Sequence, residues 1–87
     1  QTIEDTHGLV WRPGRRREVD LIVLGQEIIV FEVKSTADRA DVENLDEKVT
    51  LVRHLHPQKH VDGVLVMLGA ERDHRQWCEE KGLKLIP

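Results

Sequence analysis

Asp20, Glu32 and Lys34 are charged residues set into two strongly apolar stretches, Asp20-Leu-Ile-Val-Leu24 and Ile28-Ile-Val-Phe-Glu32-Val-Lys34. Side chains alternate across a β-strand, so Glu32 and Lys34 project from the same face as Ile28 and Val30. An unpaired charge on such a face is costly, and a counter-charge or a cation is expected beside it. Two carboxylates on adjacent strands, with a lysine two residues beyond one of them, suit Mg²⁺. That ion takes one or two carboxylates and leaves its other positions to water and phosphate oxygens. It would activate water and neutralise charge developing on phosphorus, while the Lys34 ammonium orients or stabilises that water. The chemistry so described is phosphodiester hydrolysis.

Position separates Glu32-Val-Lys34 from the two other acid-x-Lys triplets, Asp46-Glu-Lys48 and Glu79-Glu-Lys81. Those lie in helical sequence, where such pairs are usually solvated and contribute only about 0.2–0.5 kcal/mol. Lys48 is a special case, because a helical wheel puts it between Leu45 and Val52, inside the apolar arc. It should point along the sheet toward Glu32 or a phosphate, or else snorkel. Hairpin register sets a further condition. A two-residue loop at Gly25-Gln26 pairs Asp20 with Phe31 and sends Asp20 and Glu32 to opposite faces. A three-residue loop or a β-bulge pairs Asp20 with Glu32, and a cation shared by the two carboxylates requires that odd register.

The elements that must position these groups follow from periodicity and punctuation. Residues 1–7 look like the end of a helix, Leu9–Arg12 is a short strand candidate, and Arg12-Pro-Gly-Arg15 is a turn. Strands at about 18–24 and 27–34 meet around Gly25. From Asp38 to about His56, Val42, Leu45, Val49, Val52 and Leu55 recur at helical spacing, with Ser35, Thr36 or Asp38 as caps and Pro57 as a stop. Val61–Leu68 is apolar on both faces, as a central parallel strand would be. Residues 70–81 read as a second helix ending at Gly82, and Leu83–Ile86 as a last strand. The expected order is (α)βββαβαβ in a single domain over 1–87, with a first helix that is truncated.

Composition bounds the partners. The net charge of −3 offers a nucleic-acid partner no overall attraction, but Arg12, Arg15, Arg16 and Arg17 form one local basic patch. With Tyr absent and a single Phe, stacking on single-stranded bases is disfavoured. The lone Cys78 excludes an internal disulfide and suggests a reducing compartment. No apolar run approaches the roughly 18 residues of a membrane span. These features together lead us to expect a cytoplasmic protein with no membrane partner. His54, His56 and His60 complete no familiar zinc spacing, and Trp77 and Cys78 read as helix packing.

The Glu18-Val-Asp20 strand, the Glu32-Val-Lys34-Ser35 strand and the Lys48-bearing helix, in that order, resemble the core of the PD-(D/E)XK nuclease superfamily. Its members include Holliday junction resolvases and many restriction endonucleases. The likeness is greatest to small prokaryotic proteins of that superfamily and spans about residues 18–86. It implies a restriction endonuclease-like α/β core, a mixed sheet built as an antiparallel meander followed by βαβαβ, with flanking helices. It also implies Asp20 and Glu32 as ligands of Mg²⁺ or Mn²⁺, the carbonyl of Val33 as a further ligand, and Lys34 as the catalytic lysine. Val19 stands where the family name has proline, and Glu4 or Asp5 would supply any N-terminal acidic ligand. Arg15, Arg16, Arg17 and Lys48 would contact phosphates of duplex or branched DNA, with Arg39 a weaker phosphate candidate, while Glu18 reads as an accessory ligand or a strand-end charge facing solvent. A homodimer would present two sites to a two-stranded substrate. The competing expectation is a catalytically inactive module of the same fold, used for nucleic-acid binding or protein assembly.

Overall fold

A computed structural model describes residues 1–87. The chain runs β1 (Thr2–Asp5), β2 (Arg15–Glu18), β3 (Asp20–Leu24), β4 (Glu27–Val33), α1 (Arg39–Leu55), β5 (His60–Val66), α2 (Arg72–Lys81) and β6 (Lys84–Ile86). Strands β3 to β6 form one mixed sheet in the order β3-β4-β5-β6, and β1 and β2 form a separate antiparallel pair. The β3–β4 ladder is antiparallel, whereas β4–β5 and β5–β6, each joined through a helix, are parallel. This is the mixed α/β sheet expected of a restriction endonuclease-like core.

Gly25 sets the register of the central hairpin. Its φ of 60° lies in the left-handed region, at the first central position of the two-residue Gly25-Gln26 loop, where a type II′ turn favours glycine. Leu24 therefore pairs with Glu27, and Asp20 with Phe31. The odd register that would bring Asp20 and Glu32 to one face is absent. Packing explains the choice: the observed ladder sets Leu21 opposite Val30 and Val23 opposite Ile28. Val19, Ile28 and Val30 are thereby buried on the face that α1 covers. The alternative would turn Val19 and Leu21 out to solvent to keep two carboxylates together.

Helix α1 begins with a reciprocal capping box. The Asp38 carboxylate accepts from the Asp41 N–H, and the Asp41 carboxylate accepts from the Asp38 N–H, each at 2.9 Å. Val42, Leu45, Val49 and Val52 then face the sheet and join Val61, Leu65, Met67, Cys78 and Leu83 in the core. Gly63 in β5 permits the closest approach, since a Cβ there would lie 2.6 Å from Val49 Cγ2 and collide with Leu83. Helix α2 ends at Gly82, φ 69°, with the Leu83 N–H closing onto the Cys78 carbonyl at 2.8 Å. Both helices share this core, and no helix covers the opposite face of the sheet, where Ile22, Leu24 and Ile86 are exposed.

The N-terminal third departs from the sequence reading. Residues 2–5 form a strand paired with Arg15–Glu18, not the end of a helix. Leu9–Trp11 is a loop, not a strand. One buried carboxylate accounts for both departures. Asp5 is 1% exposed and accepts from the backbone N–H groups of Leu9 (2.7 Å), Val10 (2.8 Å) and Trp11 (2.6 Å). The loop's amides are satisfied by a side chain and need no ladder. The sequence from 15 to 24 is correspondingly two strands separated by Val19, whose N–H bonds to the Gln1 carbonyl at 2.8 Å.

Candidate active site

Helix α1 carries Asp41, Asn44 and Lys48 at spacings of three and four, which places them in one row. Each contacts a different strand or strand end. Lys48 Nζ donates to Glu32 Oε1 at 2.8 Å, with the two side chains only 17% and 16% exposed. Lys34 Nζ lies 3.5 Å from Asp41 Oδ1. Arg17 Nη1 donates to Asn44 Oδ1 at 3.3 Å. The apolar arc of α1 thus seats the helix, and the adjoining polar row reaches over β2 and β4. Asp41 is held below the usual carboxylate range first by the Asp38 N–H and further by the Lys34 ammonium, against the opposing effect of burial.

At the end of the sheet, Glu18, Val19, Asp20, Glu32, Val33, Lys34 and Lys48 line a hollow of about 220 Å³. Asp20 and Glu32 leave the hairpin on opposite faces, so the odd register expected as the condition for a shared cation is not met. They nevertheless border this space together, because Asp20 is the first residue of the outer strand and Glu32 the penultimate residue of its neighbour. The Asp20 carboxylate has no hydrogen-bond or ion-pair partner within the chain. Glu32 commits one oxygen to Lys48, and its other oxygen has no protein partner. No three His, Cys, Asp or Glu side chains group closely enough to hold an ion by themselves. The donors present are two carboxylates with free oxygens beside the exposed residue Val33, a set that fits a hard divalent ion keeping most of its waters. Glu18 is highly exposed and accepts from the Thr2 hydroxyl at 2.8 Å.

The basic patch separates into distinct environments. Arg16 Nε pairs with Glu4 at 2.8 Å. Arg17 lies over the Trp11 ring, 4.4 Å from its centroid, as well as reaching Asn44. Arg12 and Arg15 stay exposed and form no ion pair. Neither N-terminal acid is available to the hollow: Arg16 and Thr6 take Glu4, and the loop amides take Asp5. Hydrogen bonding to Arg16 lowers the Glu4 pKa. Burial by itself would raise that of Asp5, but the N–H groups of Trp11, Val10, Leu9 and Gly8 outweigh it and lower it. Arg39 pairs with Glu80 at 3.1 Å, and His60 with Asp62 at 3.2 Å.

Sequence reasoning missed Asp41, Asn44 and Trp11. The wheel that singled out Lys48 holds the first two in the same stripe, so their signal was present in the helical periodicity. Trp11 had only its place beside Arg12 to mark it.

A family model described as the PD-(D/E)XK nuclease superfamily matches residues 16–76, from β2 into α2. Neither a curated protein nor a solved structure matches the chain.

Proposed function

The chain belongs to the PD-(D/E)XK nuclease superfamily, and from that premise we propose that it is a divalent-metal-dependent deoxyribonuclease whose active site is the hollow at the end of the sheet. The observation that carries the reading is the convergence there of Asp20, Glu32, Lys34 and Lys48. Asp20 and Glu32 would hold the ion, with the Val33 carbonyl as a further ligand. Mg²⁺ suits this set best and Mn²⁺ next, because the donors are oxygens and few. When bound, such an ion would supply Lewis-acid stabilisation of charge developing on the scissile phosphate.

The chain's own groups divide the remaining tasks. Lys34, 37% exposed, presents its ammonium to the hollow and would orient the attacking water. Asp41 holds that ammonium in place and compensates its charge. Lys48 holds the Glu32 carboxylate in place, and would share its charge with a phosphate oxygen once substrate enters. Of the arginines, Arg12 and Arg15 are free to meet a phosphate, Arg16 is paired with Glu4, and Arg17 is held by Trp11 and, through Nη1, by Asn44, with its Nη2 unbonded. One such domain covers little DNA, and a homodimer would place two sites on a two-stranded substrate.

A second reading rests on the register. Asp20 and Glu32 project from opposite faces, and both lysines are already neutralised by carboxylates, as they would be in a module that retains the fold for binding or assembly without cleavage. The deciding experiment incubates plasmid, linear and four-way-junction DNA with wild-type protein and with Lys34→Ala and Asp20→Ala, in Mg²⁺, Mn²⁺ or EDTA. Metal-dependent cleavage lost in both variants supports the nuclease, and DNA binding without cleavage in any metal supports the module.

A further inference from the structure

A second concave site lies on β2, outside the hollow, and its chemistry is that of an anion receptor. Trp11, Arg12, Arg15 and Arg17 surround about 470 Å³ of space, and no acidic residue lines it. Three guanidinium groups around one space repel one another unless an anion sits between them, and their planar forks match the oxygens of a phosphate. The walls are fixed in place. The three amide bonds to Asp5 hold the Leu9–Trp11 loop, and Arg17 is clamped between the Trp11 ring and Asn44. Trp11 Nε1 and Arg17 Nε are buried without any acceptor within the chain.

The pocket is also connected to the hollow. Asn44, which holds Arg17, lies between Asp41 and Lys48 in the α1 row that holds Lys34 and Glu32. Along the chain, Arg15 and Asp20 are five residues apart in nearly continuous extended structure, a span of about 16 Å at roughly 3.3 Å per residue. Phosphates of one B-DNA strand rise about 3.4 Å each along the axis and also wind around it, so that span corresponds to about two or three nucleotides.

We propose that the Trp11/Arg12/Arg15/Arg17 pocket holds an internal backbone phosphate of the DNA strand about two or three nucleotides from the phosphate at the hollow, anchoring substrate on one side of the cut. This rests on the nuclease reading for its substrate, and its test is separable from cleavage. Binding of a labelled duplex is measured in EDTA across a salt series for wild type, for Arg12→Ala/Arg15→Ala, and for a charge-matched control, Arg72→Ala/Arg75→Ala, on the exposed surface of α2. The pocket variant should bind at least about tenfold more weakly, with a log K against log salt slope shallower by about 1, while the control stays near wild type. In Mg²⁺, wild-type cleavage should fall when the duplex on one side of the cut is shortened below about three base pairs, and the pocket variant should lose that dependence. Equal weakening in pocket variant and control would overturn the proposal, because net charge alone would explain it. Binding that depends on a 5′-phosphorylated end would also overturn it, identifying a terminal rather than an internal phosphate. Unchanged binding by the pocket variant with Mg²⁺-dependent cleavage intact would remove this anchor and leave the nuclease reading standing.

Discussion

Lys48 and Glu32 form a 2.8 Å pair in which each side chain is more than four-fifths buried, so each supplies the counter-charge that the other lacks from water. Replacing Lys48 by Met leaves a carboxylate in a poorly solvated place without its donor, at a cost of about 1–3 kcal/mol. Urea unfolding in EDTA should show that loss, and Mg²⁺ should recover part of it in the variant; recovery by Na⁺ at equal ionic strength would refute a specific ion at Glu32. Asp5 tests a different kind of carboxylate. Its folded pKa is lowered by loop amides, so its contribution to stability is fully present above the unfolded value near 3.9. That contribution is lost as pH falls through the lower folded value. Urea midpoints between pH 2 and pH 7 should fall more steeply below about pH 4 for wild type than for Asp5→Asn, which lacks the titration. Glu4, Asp41 and Asp62, also lowered, remain in both proteins and set the common background.

Among the elements, α1 does most to assemble the site, because its apolar arc fixes the helix on the sheet and its neighbouring row then has no choice of partners. The capping box belongs to that row: Asp41 caps through one oxygen and holds Lys34 through the other. Asp38→Ala should remove about 1 kcal/mol of stability and loosen Asp41. The readouts are a thermal melt and the NMR signal of the Lys34 ammonium, which should broaden; an unchanged signal would show that Asp41 is held by other means. The contact of β5 with α1 is tighter still at Gly63, where a methyl group would run into Val49 and Leu83. Gly63→Ala should lower stability by about 1–3 kcal/mol through overpacking, measured by urea unfolding, and unchanged stability would mean that α1 yields at that point.

For the molecule as a whole, the site lies at one end of a sheet that has helices on a single face, so an ion bridging Asp20 and Glu32 would tie the outer strand to the core. Such an ion stabilises the folded chain by mass action, about 2.7 kcal/mol at a hundred times its dissociation constant, a rise of roughly 10–20 °C for a domain of this size. The melting temperature should climb with Mg²⁺ in wild type and not in Asp20→Asn. A wild-type melt indifferent to Mg²⁺ and Mn²⁺ would remove the metal site and leave the ionic pairs as structural. No helix is long and apolar enough to cross a membrane, and the exposed Ile22, Leu24 and Ile86 occupy the helix-free face of the sheet.

Local periodicity was sufficient to read β4, α1, β5 and α2 from the sequence, because each buries a face whose spacing repeats in the residues themselves. It also set Glu32 and Lys34 on one face and turned Lys48 toward Glu32, since strand and helix geometry leave those side chains little freedom. Three features depended on contacts distant in sequence. The even register of the hairpin follows from burying Val19 with Ile28 and Val30 against α1, a demand that overrides keeping Asp20 beside Glu32. The strand at residues 2–5 and the loop at 9–11 follow from a buried Asp5, whose three amide donors lie outside any periodic pattern. The division of the arginines into paired, stacked and free groups follows from the places of Glu4, Trp11 and Asn44 after folding. Sequence alone therefore determined which residues could do the chemistry and the elements that carry most of them; tertiary packing decided which faces they share, because a buried apolar surface outweighs the placement of a single charge.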